Sequence, residues 1–302
     1  NVFPLISPSI YRFFKKKGVK TVQTIHNYRF LCPNGLFFKN GKVCELCAGG
    51  YFYNAVKHKC YKNSKIFSLL YSAIIKLNYN VFRNFIDGHI ALTKFTKLKL
   101  VDSGFSADKI FIKANGMADK RRSFSESKKY FLYIGRLSKE KGVDFLLDSF
   151  SKMPDMKLII AGDYSKSPEY FEKYKDCPNI NFFGFADETQ KETLINESLA
   201  VIVPSVCYDN YPVALVEAFR AGITAVGSSI GGIPYIISDG VNGELFEPNN
   251  FEQFKSKIEK LYNNEEHRRK LSENARSTFL EKMEFSKNIT ILEEIYKKTN
   301  IS

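Results

Sequence analysis

The sequence predicts an α/β protein whose parallel β-sheets are covered by helices. Short runs of β-branched and aromatic residues alternate with helical stretches along the 302 residues, which is the pattern of parallel strands joined by helical crossovers. A composition of 44% hydrophobic and 25% charged residues is that of a globular protein and excludes disordered or collagen-like chains. This length is expected to form one large domain or two medium ones.

Residues 1–118 are predicted to form an incomplete first domain. Strands are predicted at 21–25, 89–93 and 110–113, and helical periodicity predicts helices at 65–85 and 94–103. Parallel sheets rarely stop after three strands, because their edges would remain unpaired. The sequence therefore predicts that the opening strands of this domain are missing.

A polar stretch at 119–129 is predicted to link this domain to a second one at 130–282. The second domain contains enough predicted strands for a complete doubly wound sheet. They fall at 130–134, 157–161, 180–183, 200–203, 224–227 and 243–246. The last stretch, 283–302, is predicted to be a C-terminal helix that packs back on the first domain.

The excess of positive over negative charge lies entirely in the predicted first domain. Residues 1–118 carry 19 Lys and Arg against 4 Asp and Glu, whereas the remainder carries 26 against 28. The net charge of +13 therefore predicts an anionic partner for the first domain, such as nucleic acid, a membrane surface or a phosphorylated substrate. Nucleic acid is not expected, because the basic and aromatic residues form no recognised nucleic-acid-binding module.

The chain is expected to be cytoplasmic and to meet the inner face of the cell membrane through this basic domain. No uninterrupted apolar stretch is long enough to span a bilayer, the nearest being 66–77. Basic residues follow rather than precede the apolar ones at 8–20, so no secretory signal is predicted there. An anionic membrane surface is the predicted partner, with Lys15, Lys16 and Lys17 as its candidate contacts.

The first motif that carries chemistry is G-R-L-S-K-E-K-G at 135–142. It joins the predicted strand at 130–134 to a helix predicted at 143–151. Glycine-rich turns between a strand end and a helix N-terminus bind anions in α/β proteins, and Arg136 and Lys141 add two positive charges. A basic turn with a purely structural role is the alternative interpretation.

The second motif is P-S-V-C-Y-D-N-Y-P-V-A-L-V-E-A-F-R-A-G at 204–222. Its second proline suits the first helical position, so the N–H groups of Val213 and Ala214 are expected to be free for a diphosphate. Asp209 and Glu217 could accept hydrogen bonds from sugar hydroxyls. The alternative makes Asp209 a helix N-terminal charge and Glu217 a solvated side chain. However, Glu217 lies in an apolar run, where a buried acid needs a partner.

A third motif, G-G-I-P at 231–234, is followed by D-G-V-N-G at 239–243. In order and spacing, the three motifs resemble the donor domain of retaining, nucleotide-sugar-dependent glycosyltransferases of family 4, which have the GT-B fold. The first domain resembles the same family through T-I-H-N-Y-R at 24–29 and I-A-L-T at 90–93, in particular members that build bacterial capsule, lipopolysaccharide or exopolysaccharide. The glycine-rich loop with which members normally begin is absent.

The resemblance implies two Rossmann-like doubly wound domains facing across a cleft, the first one incomplete. It also implies catalytic roles for four residues. Arg136 and Lys141 would bind the donor diphosphate, and Asp209 the transferred sugar. His26, at the end of a first-domain strand, would bond the sugar or the β-phosphate, with a structural histidine as its alternative interpretation.

The resemblance further implies a set of donor-binding residues, in which Glu217 would hold the ribose hydroxyls and Gly184 and Phe185 would line the nucleobase pocket. The full set is Gly135, Arg136, Lys141, Gly184, Phe185, Asp209, Tyr211, Pro212, Val213, Ala214 and Glu217. Tyr235 stands after G-G-I-P where many relatives have glutamate.

The implied reaction transfers a hexose, with retention, from a nucleotide sugar to a saccharide or lipid-linked saccharide acceptor in surface polysaccharide synthesis. The resemblance implies that no metal is required to activate the donor, so no cofactor is expected for catalysis. Fixed cations and helix N–H groups would stabilise the departing diphosphate. Two alternatives stay open. One is a sugar-nucleotide epimerase of the same fold, and the other is a catalytically impaired fragment or paralogue that only binds nucleotide or partners.

Four cysteines cluster in a loop predicted at 27–62, namely Cys32, Cys44, Cys47 and Cys60. Four thiols around one C-x2-C pair could form a tetrahedral structural zinc site, for which His58 is a substitute ligand. Two disulfides are the competing interpretation, less expected in a cytoplasmic enzyme. Four unlinked thiols are a third.

Overall fold

The computed structural model describes residues 6–120 and 128–300. The chain divides into two compact units, which we call the first unit (Asn1–Asn115 and Ser286–Ser302) and the second unit (Gly116–Phe285). Most of the predicted linker, 121–127, lies outside the described residues, as do residues 1–5.

The first unit is built on a small parallel sheet. Its elements are α1 (Ser9–Lys16), β1 (Val22–Ile25), β2 (Phe38–Lys39), β3 (Lys42–Val43), α2 (Tyr53–Lys57), α3 (Lys65–Asn84), β4 (Gly88–Ala91), α4 (Lys94–Asp102) and β5 (Ile110–Ile112). The sheet has the order β1-β4-β5 and its strands are parallel, which confirms the three predicted strands. The antiparallel hairpin of β2 and β3 and the short helices α1 and α2 were not predicted.

Both predicted helices of the first unit begin at a capping hydroxyl. Ser64 precedes α3 and its Oγ accepts from the Phe67 N–H at 3.4 Å. Thr93 precedes α4 and its Oγ1 accepts from the Thr96 N–H at 3.2 Å. Such caps satisfy N–H groups that have no partner within the helix. The central strand β4 is buried along its whole length, so the core of this unit lies on both of its faces.

The second unit is a complete doubly wound domain. Its elements are β6 (Tyr130–Ile134), α5 (Val143–Phe150), β7 (Lys157–Ala161), α6 (Pro168–Tyr174), β8 (Ile180–Gly184), α7 (Glu188–Glu197), β9 (Ala200–Val203), α8 (Val213–Ala221), β10 (Ala225–Ser228), β11 (Gly243–Phe246), α9 (Phe251–Asn263) and α10 (Glu265–Lys282). The parallel strands have the order β11-β10-β9-β6-β7-β8. The order of strand addition therefore reverses between β6 and β9, and open α/β sheets bind ligands beyond the strand ends at such a point.

A buried carboxylate ties the last helices of the second unit to its edge strand. Glu244 on β11 is fully buried and pairs with Lys257 on α9 at 2.5 Å and with His267 on α10 at 2.7 Å. Burial alone would raise the pKa of Glu244, but the hydrogen bonds from Lys257, His267 and Lys260 outweigh it and lower the pKa to about 2. The acid therefore stays ionised although it is buried, because its partners compensate for the loss of hydration.

The final helix, α11 (Phe285–Lys298), belongs to the first unit from Ser286 onward. Lys113 Nζ, just after β5, donates to Asn288 Oδ1 on α11 at 2.9 Å. Asn288 and Ile295 are buried. Across residues 6–120 and 128–300, no helix combines the length and the apolar character needed to cross a bilayer.

A histidine in the central strand makes the stability of the first unit depend on pH. His89 on β4 is 1% exposed and packs edge-on against Phe105, with ring centroids 5.2 Å apart. Burial lowers its pKa to about 4, and Lys109 adds a smaller repulsion. Because the unfolded histidine has a pKa near 6.5, its contribution to stability is complete above that pH and is lost as the pH falls toward 4.

We predict that the free energy of unfolding falls by about 2 kcal/mol between about pH 8 and about pH 5 through this one residue. His89→Leu should remove that part of the pH dependence, because leucine fills similar space and does not titrate. Urea unfolding, followed by circular dichroism at both pH values, measures this difference in the free energy of unfolding. Glu244, whose pKa is about 2, does not interfere in this range, and an unchanged pH dependence in the variant would contradict the assignment.

Candidate functional site

Seven of the eleven predicted donor residues line one cavity where the order of strand addition reverses. A cavity of about 310 Å³ lies beyond the ends of β6 and β9 and is lined by Gly135, Lys141, Asp209, Pro212, Val213, Ala214 and Glu217, among others. A second cavity, of about 540 Å³, is lined by Gly135, Arg136, Asp163, Lys166 and Phe185, among others. Gly135, directly after β6, borders both, so the two cavities are neighbours.

Two glycines let backbone segments approach each other at this point. Gly142 has φ +73, and a Cβ there would lie 1.9 Å from the carbonyl oxygen of Pro204. A Cβ at Gly162 would lie 2.2 Å from the carbonyl oxygen of Gly135. No side chain fits in either place, so the loop after β6 lies directly against the chain that leaves β9 and β7.

The closeness of these loops brings a cation and a carboxylate together. Lys141 Nζ lies 2.5 Å from Asp209 Oδ2, although the residues are far apart in sequence. Ser205 Oγ donates to the same oxygen at 2.9 Å. Both members of the ion pair are partly accessible from the cavity, with side-chain exposures of 27% for Lys141 and 13% for Asp209. A ligand can therefore reach both charges.

The other predicted carboxylate, Glu217, is buried and has a specific partner. It lies on α8 with a side-chain exposure of 7%, and its Oε1 is 2.6 Å from Lys191 Nζ on α7. Burial would lower the pKa of Lys191, but hydrogen bonds to Glu217 and Glu188 outweigh it and raise the pKa. The sequence correctly required a partner for this acid, but Lys191 was not identified because it comes from another helix.

Helix α8 presents an open N-terminus to the same cavity. Pro212 precedes the helix as its N-cap residue, one position earlier than predicted, and among the described side chains none caps it. Val213 is exposed, and Val213 and Ala214 line the cavity. Free N–H groups and the positive end of the helix dipole favour an anion here.

The G-G-I-P motif packs against the loop that carries Asp209. The Gly232 N–H donates to the Asp209 carbonyl at 2.7 Å. A Cβ at Gly232 would lie 2.0 Å from the Asn210 carbonyl oxygen. These glycines therefore fix the loop that carries Asp209, while Tyr235 is half exposed just beyond them.

The remaining predicted residues lie in different environments. Arg136 lines the larger cavity with its side chain 73% exposed, and its nearest carboxylate is Glu140 at 3.3 Å. Phe185 is exposed at the rim of that cavity, whereas Tyr211 is buried. Gly184 ends β8 with φ +85. His26 belongs to the first unit, where it directly follows β1 and is exposed.

The loop cysteines lie in the first unit without forming a ready metal site. All four are free thiols, and Cys32 Sγ donates to Asn34 Oδ1 at 2.9 Å. Cys47 packs with Phe52 and Ile75 in a small core that Cys60 borders. In the part of the chain that the structure describes, no group of three His, Cys, Asp or Glu side chains could hold a metal ion as it stands.

Two α/β units with parallel sheets, one of them doubly wound, are the components of the GT-B fold. A solved structure agrees, that of Anabaena HepE in complex with UDP-glucose, with a TM-score of 0.70 and 17% identity over 96% of this chain and 74% of that one. The chain belongs to the family described as glycosyl transferases group 1, whose sequence profile matches residues 117–278.

Curated relatives are longer than this chain. An uncharacterised glycosyltransferase of Methanocaldococcus jannaschii is 28% identical over 214 residues, which are 70% of this chain and 60% of the relative. The lipopolysaccharide 1,2-N-acetylglucosaminetransferase of Salmonella typhimurium is 26% identical over 200 residues, 61% of this chain and 52% of the relative. The match thus spans between about half and 60% of each relative.

The contact between Gly142 and Pro204 gives a first test of the site's construction. We predict that Gly142→Ala destabilises the second unit by about 3 kcal/mol, because the new methyl meets the Pro204 carbonyl and φ is left-handed. Gly240→Ala is the matched control, since φ is +69 there but nothing lies within 4 Å of the added Cβ. Its cost should be about 1 kcal/mol. Equal melting temperatures of the two variants would contradict the prediction.

Proposed function

We propose that this protein transfers a sugar from a nucleotide-sugar donor, with retention, to a saccharide or lipid-linked saccharide acceptor in surface polysaccharide synthesis. The observation that carries the proposal is the convergence of a cation, an open helix N-terminus and two carboxylates on one cavity of about 310 Å³. The names of similar proteins support the substrate class: one is a lipopolysaccharide N-acetylglucosaminetransferase, and another was solved with UDP-glucose.

The donor diphosphate would bind at the N-terminus of α8. The N–H groups of Val213 and Ala214 would donate to its oxygens, and Lys141 would neutralise one of its charges. Arg136 extends from the neighbouring cavity and is exposed enough to turn toward a second phosphate oxygen. The nucleoside would then lie toward Phe185, whose exposed ring offers a stacking surface.

The two carboxylates would hold the sugars on either side of the diphosphate. Glu217 is kept in place by Lys191, so its oxygens can accept from vicinal hydroxyls of the ribose. Asp209 shares its Oδ2 with Lys141 and Ser205. When a diphosphate draws Lys141 away, that oxygen becomes an acceptor for a hydroxyl of the transferred sugar.

Catalysis in this proposal is electrostatic. The bond between the anomeric carbon and the diphosphate oxygen breaks, and negative charge grows on the departing nucleotide. Once the donor is bound, Lys141, Arg136 and the α8 N–H groups would stabilise that charge. The acceptor oxygen attacks the same face of the sugar, and its proton passes to the departing phosphate oxygen, so the configuration is retained. No cofactor takes part.

The first unit would supply the acceptor side of the reaction. We assign His26 a hydrogen bond to the sugar or the β-phosphate. The residue directly follows β1 and its side chain is exposed, so a ligand can reach it. We place the reaction in the cytoplasm, at the inner face of the cell membrane.

A sugar-nucleotide epimerase is the competing function, and it would isomerise or hydrolyse the donor without an acceptor. An impaired paralogue would bind nucleotide and do neither.

The donor site is tested by thermal unfolding with a panel of UDP-, GDP- and ADP-sugars. We predict that one nucleotide class raises the melting temperature, since a ligand at a hundredfold excess over its dissociation constant adds about 2.7 kcal/mol. Lys141→Met should abolish most of this shift and lower the rate of sugar transfer about 100-fold. Melting curves and a transfer assay measure the two effects.

The matched control is Lys270→Met, which removes an exposed lysine of α10 in the same unit. It should keep the full nucleotide shift. If no nucleotide changes the melting temperature of the unaltered protein, the donor-site assignment fails. If nucleotide binds and the sugar is isomerised without acceptor, the epimerase replaces the transferase.

For the loop cysteines, we propose a structural zinc ion bound by Cys32, Cys44, Cys47 and Cys60 after a local adjustment of the loop. Native mass spectrometry of protein grown with zinc should show one bound metal, lost in Cys47→Ser and kept in Cys177→Ser, whose cysteine lies in the second unit. Two disulfides would instead lower the mass by four hydrogens and block alkylation. Four reactive thiols without metal would also overturn the proposal.

A further inference from the structure

The helix α3 exposes a continuous apolar face. Six large apolar side chains are between 39% and 76% exposed, namely Ile66, Phe67, Leu69, Leu70, Ile74 and Leu77. We call this set the α3 apolar face. At 100° per residue its members fall within about 160° of the helix circumference. Single exposed leucines are ordinary, but a contiguous apolar patch marks an interaction surface.

The buried side of the same helix carries fewer large aliphatic side chains than its exposed side. Its buried residues are Ser68, Tyr71, Ser72, Ile75, Val81 and Phe82. Tyr71 stacks on Tyr61 with ring centroids 4.3 Å apart, which fixes that side against the preceding loop. Of the large aliphatic side chains of the helix, only Ile75 and Val81 are buried. The others point outward, which is the reverse of an ordinary surface helix.

The charge around the α3 apolar face has one sign. Residues 46–86 contain five Lys, one Arg and no Asp or Glu. Lys65 and Lys76 lie on α3 itself, at one edge of the face, and both are exposed. Lys62 Nζ, just before the helix, is 5.4 Å from the ring centre of Phe67. A partner for this surface must therefore be apolar within and anionic at its border.

We infer that the α3 apolar face docks on an anionic lipid bilayer, with the helix lying in the plane of the interface. The aliphatic side chains would enter the boundary between headgroups and acyl chains, and Lys62, Lys65 and Lys76 would reach lipid phosphates. Exposed Tyr51 and Tyr53, beside and within α2, are residues that interfaces favour. This inference does not depend on the proposed sugar transfer.

A second copy of the chain fits the surface less well. Pairing two α3 apolar faces would also bring two borders of lysines together, and like charges across an interface oppose association. The lysines predicted from the sequence are a further candidate surface. However, Lys15 on α1 and the nearby Lys20 both pair with Asp87, at 3.6 and 3.3 Å, which offsets part of their charge.

The test is cosedimentation of the full chain with vesicles, without nucleotide. We expect binding to equimolar phosphatidylglycerol and phosphatidylcholine that exceeds binding to phosphatidylcholine alone by at least about tenfold. Leu70→Glu/Leu77→Glu should reduce binding to the anionic vesicles by at least about tenfold. Lys62→Glu/Lys65→Glu should remove the preference for anionic lipid. Both variants alter exposed positions, and an unchanged melting temperature and circular dichroism spectrum verify their folding.

Two controls keep the outcomes distinct. Val241→Glu changes an apolar residue of similar exposure (54%) in the second unit and should bind vesicles like the unaltered chain. Lys15→Glu/Lys16→Glu/Lys17→Glu should weaken binding less than the α3 variants. If Leu70→Glu/Leu77→Glu still binds, or if only the α1 variant fails to bind, the inference is overturned.

Sedimentation velocity adds one further outcome. If the unaltered chain is a dimer that Leu70→Glu/Leu77→Glu converts to a monomer without loss of vesicle binding, the face joins copies of the chain and the lipid assignment is wrong. If no nucleotide raises the melting temperature but vesicle binding is intact, only the donor-site assignment fails.

Discussion

The close approach of Gly142 to the Pro204 carbonyl is the constraint on which the second unit's site depends. It presses the loop after β6 against the chain leaving β9, and the Val206 N–H donates to the Glu140 carbonyl at 3.1 Å alongside it. Only because these two segments touch can Lys141 reach Asp209. The reversal of strand order makes the crevice, and this contact determines which side chains share it.

Ion pairs stabilise the charged side chains within the crevice. Removing a carboxylate from water is unfavourable unless a cation and hydrogen bonds compensate, and Glu217 obtains both from Lys191. Asp209 is different, because its partner Lys141 lines the same cavity and is 27% exposed, so a ligand can reach it. In the proposed function, the pair of Glu217 and Lys191 would stay in place, and the pair of Asp209 and Lys141 would be replaced by a contact with the diphosphate.

The elements that the sequence predicted well are those decided by local pattern. The strands, the helix after G-R-L-S-K-E-K-G and the helix after the second motif follow from apolar periodicity and turn residues, and the structure confirms them. Lys191 could not be found this way, because its link to Glu217 joins two helices. The supporting role of Gly232 depends on the position of Asn210, which no local pattern reveals. The loop at 27–62 lacks periodicity, and its hairpin was missed for that reason.

That same loop accounts for the unusual orientation of α3. Cys47, Phe52 and Ala55 pack against Tyr71 and Ile75, so the loop covers the side of the helix that carries its tyrosine and serines. Once that side is covered, the aliphatic residues at the other positions can only face outward, because helical geometry leaves them no alternative. The cysteine-rich loop and the α3 apolar face are therefore parts of one construction. The zinc ion proposed for these thiols would therefore also hold the exposed face in position.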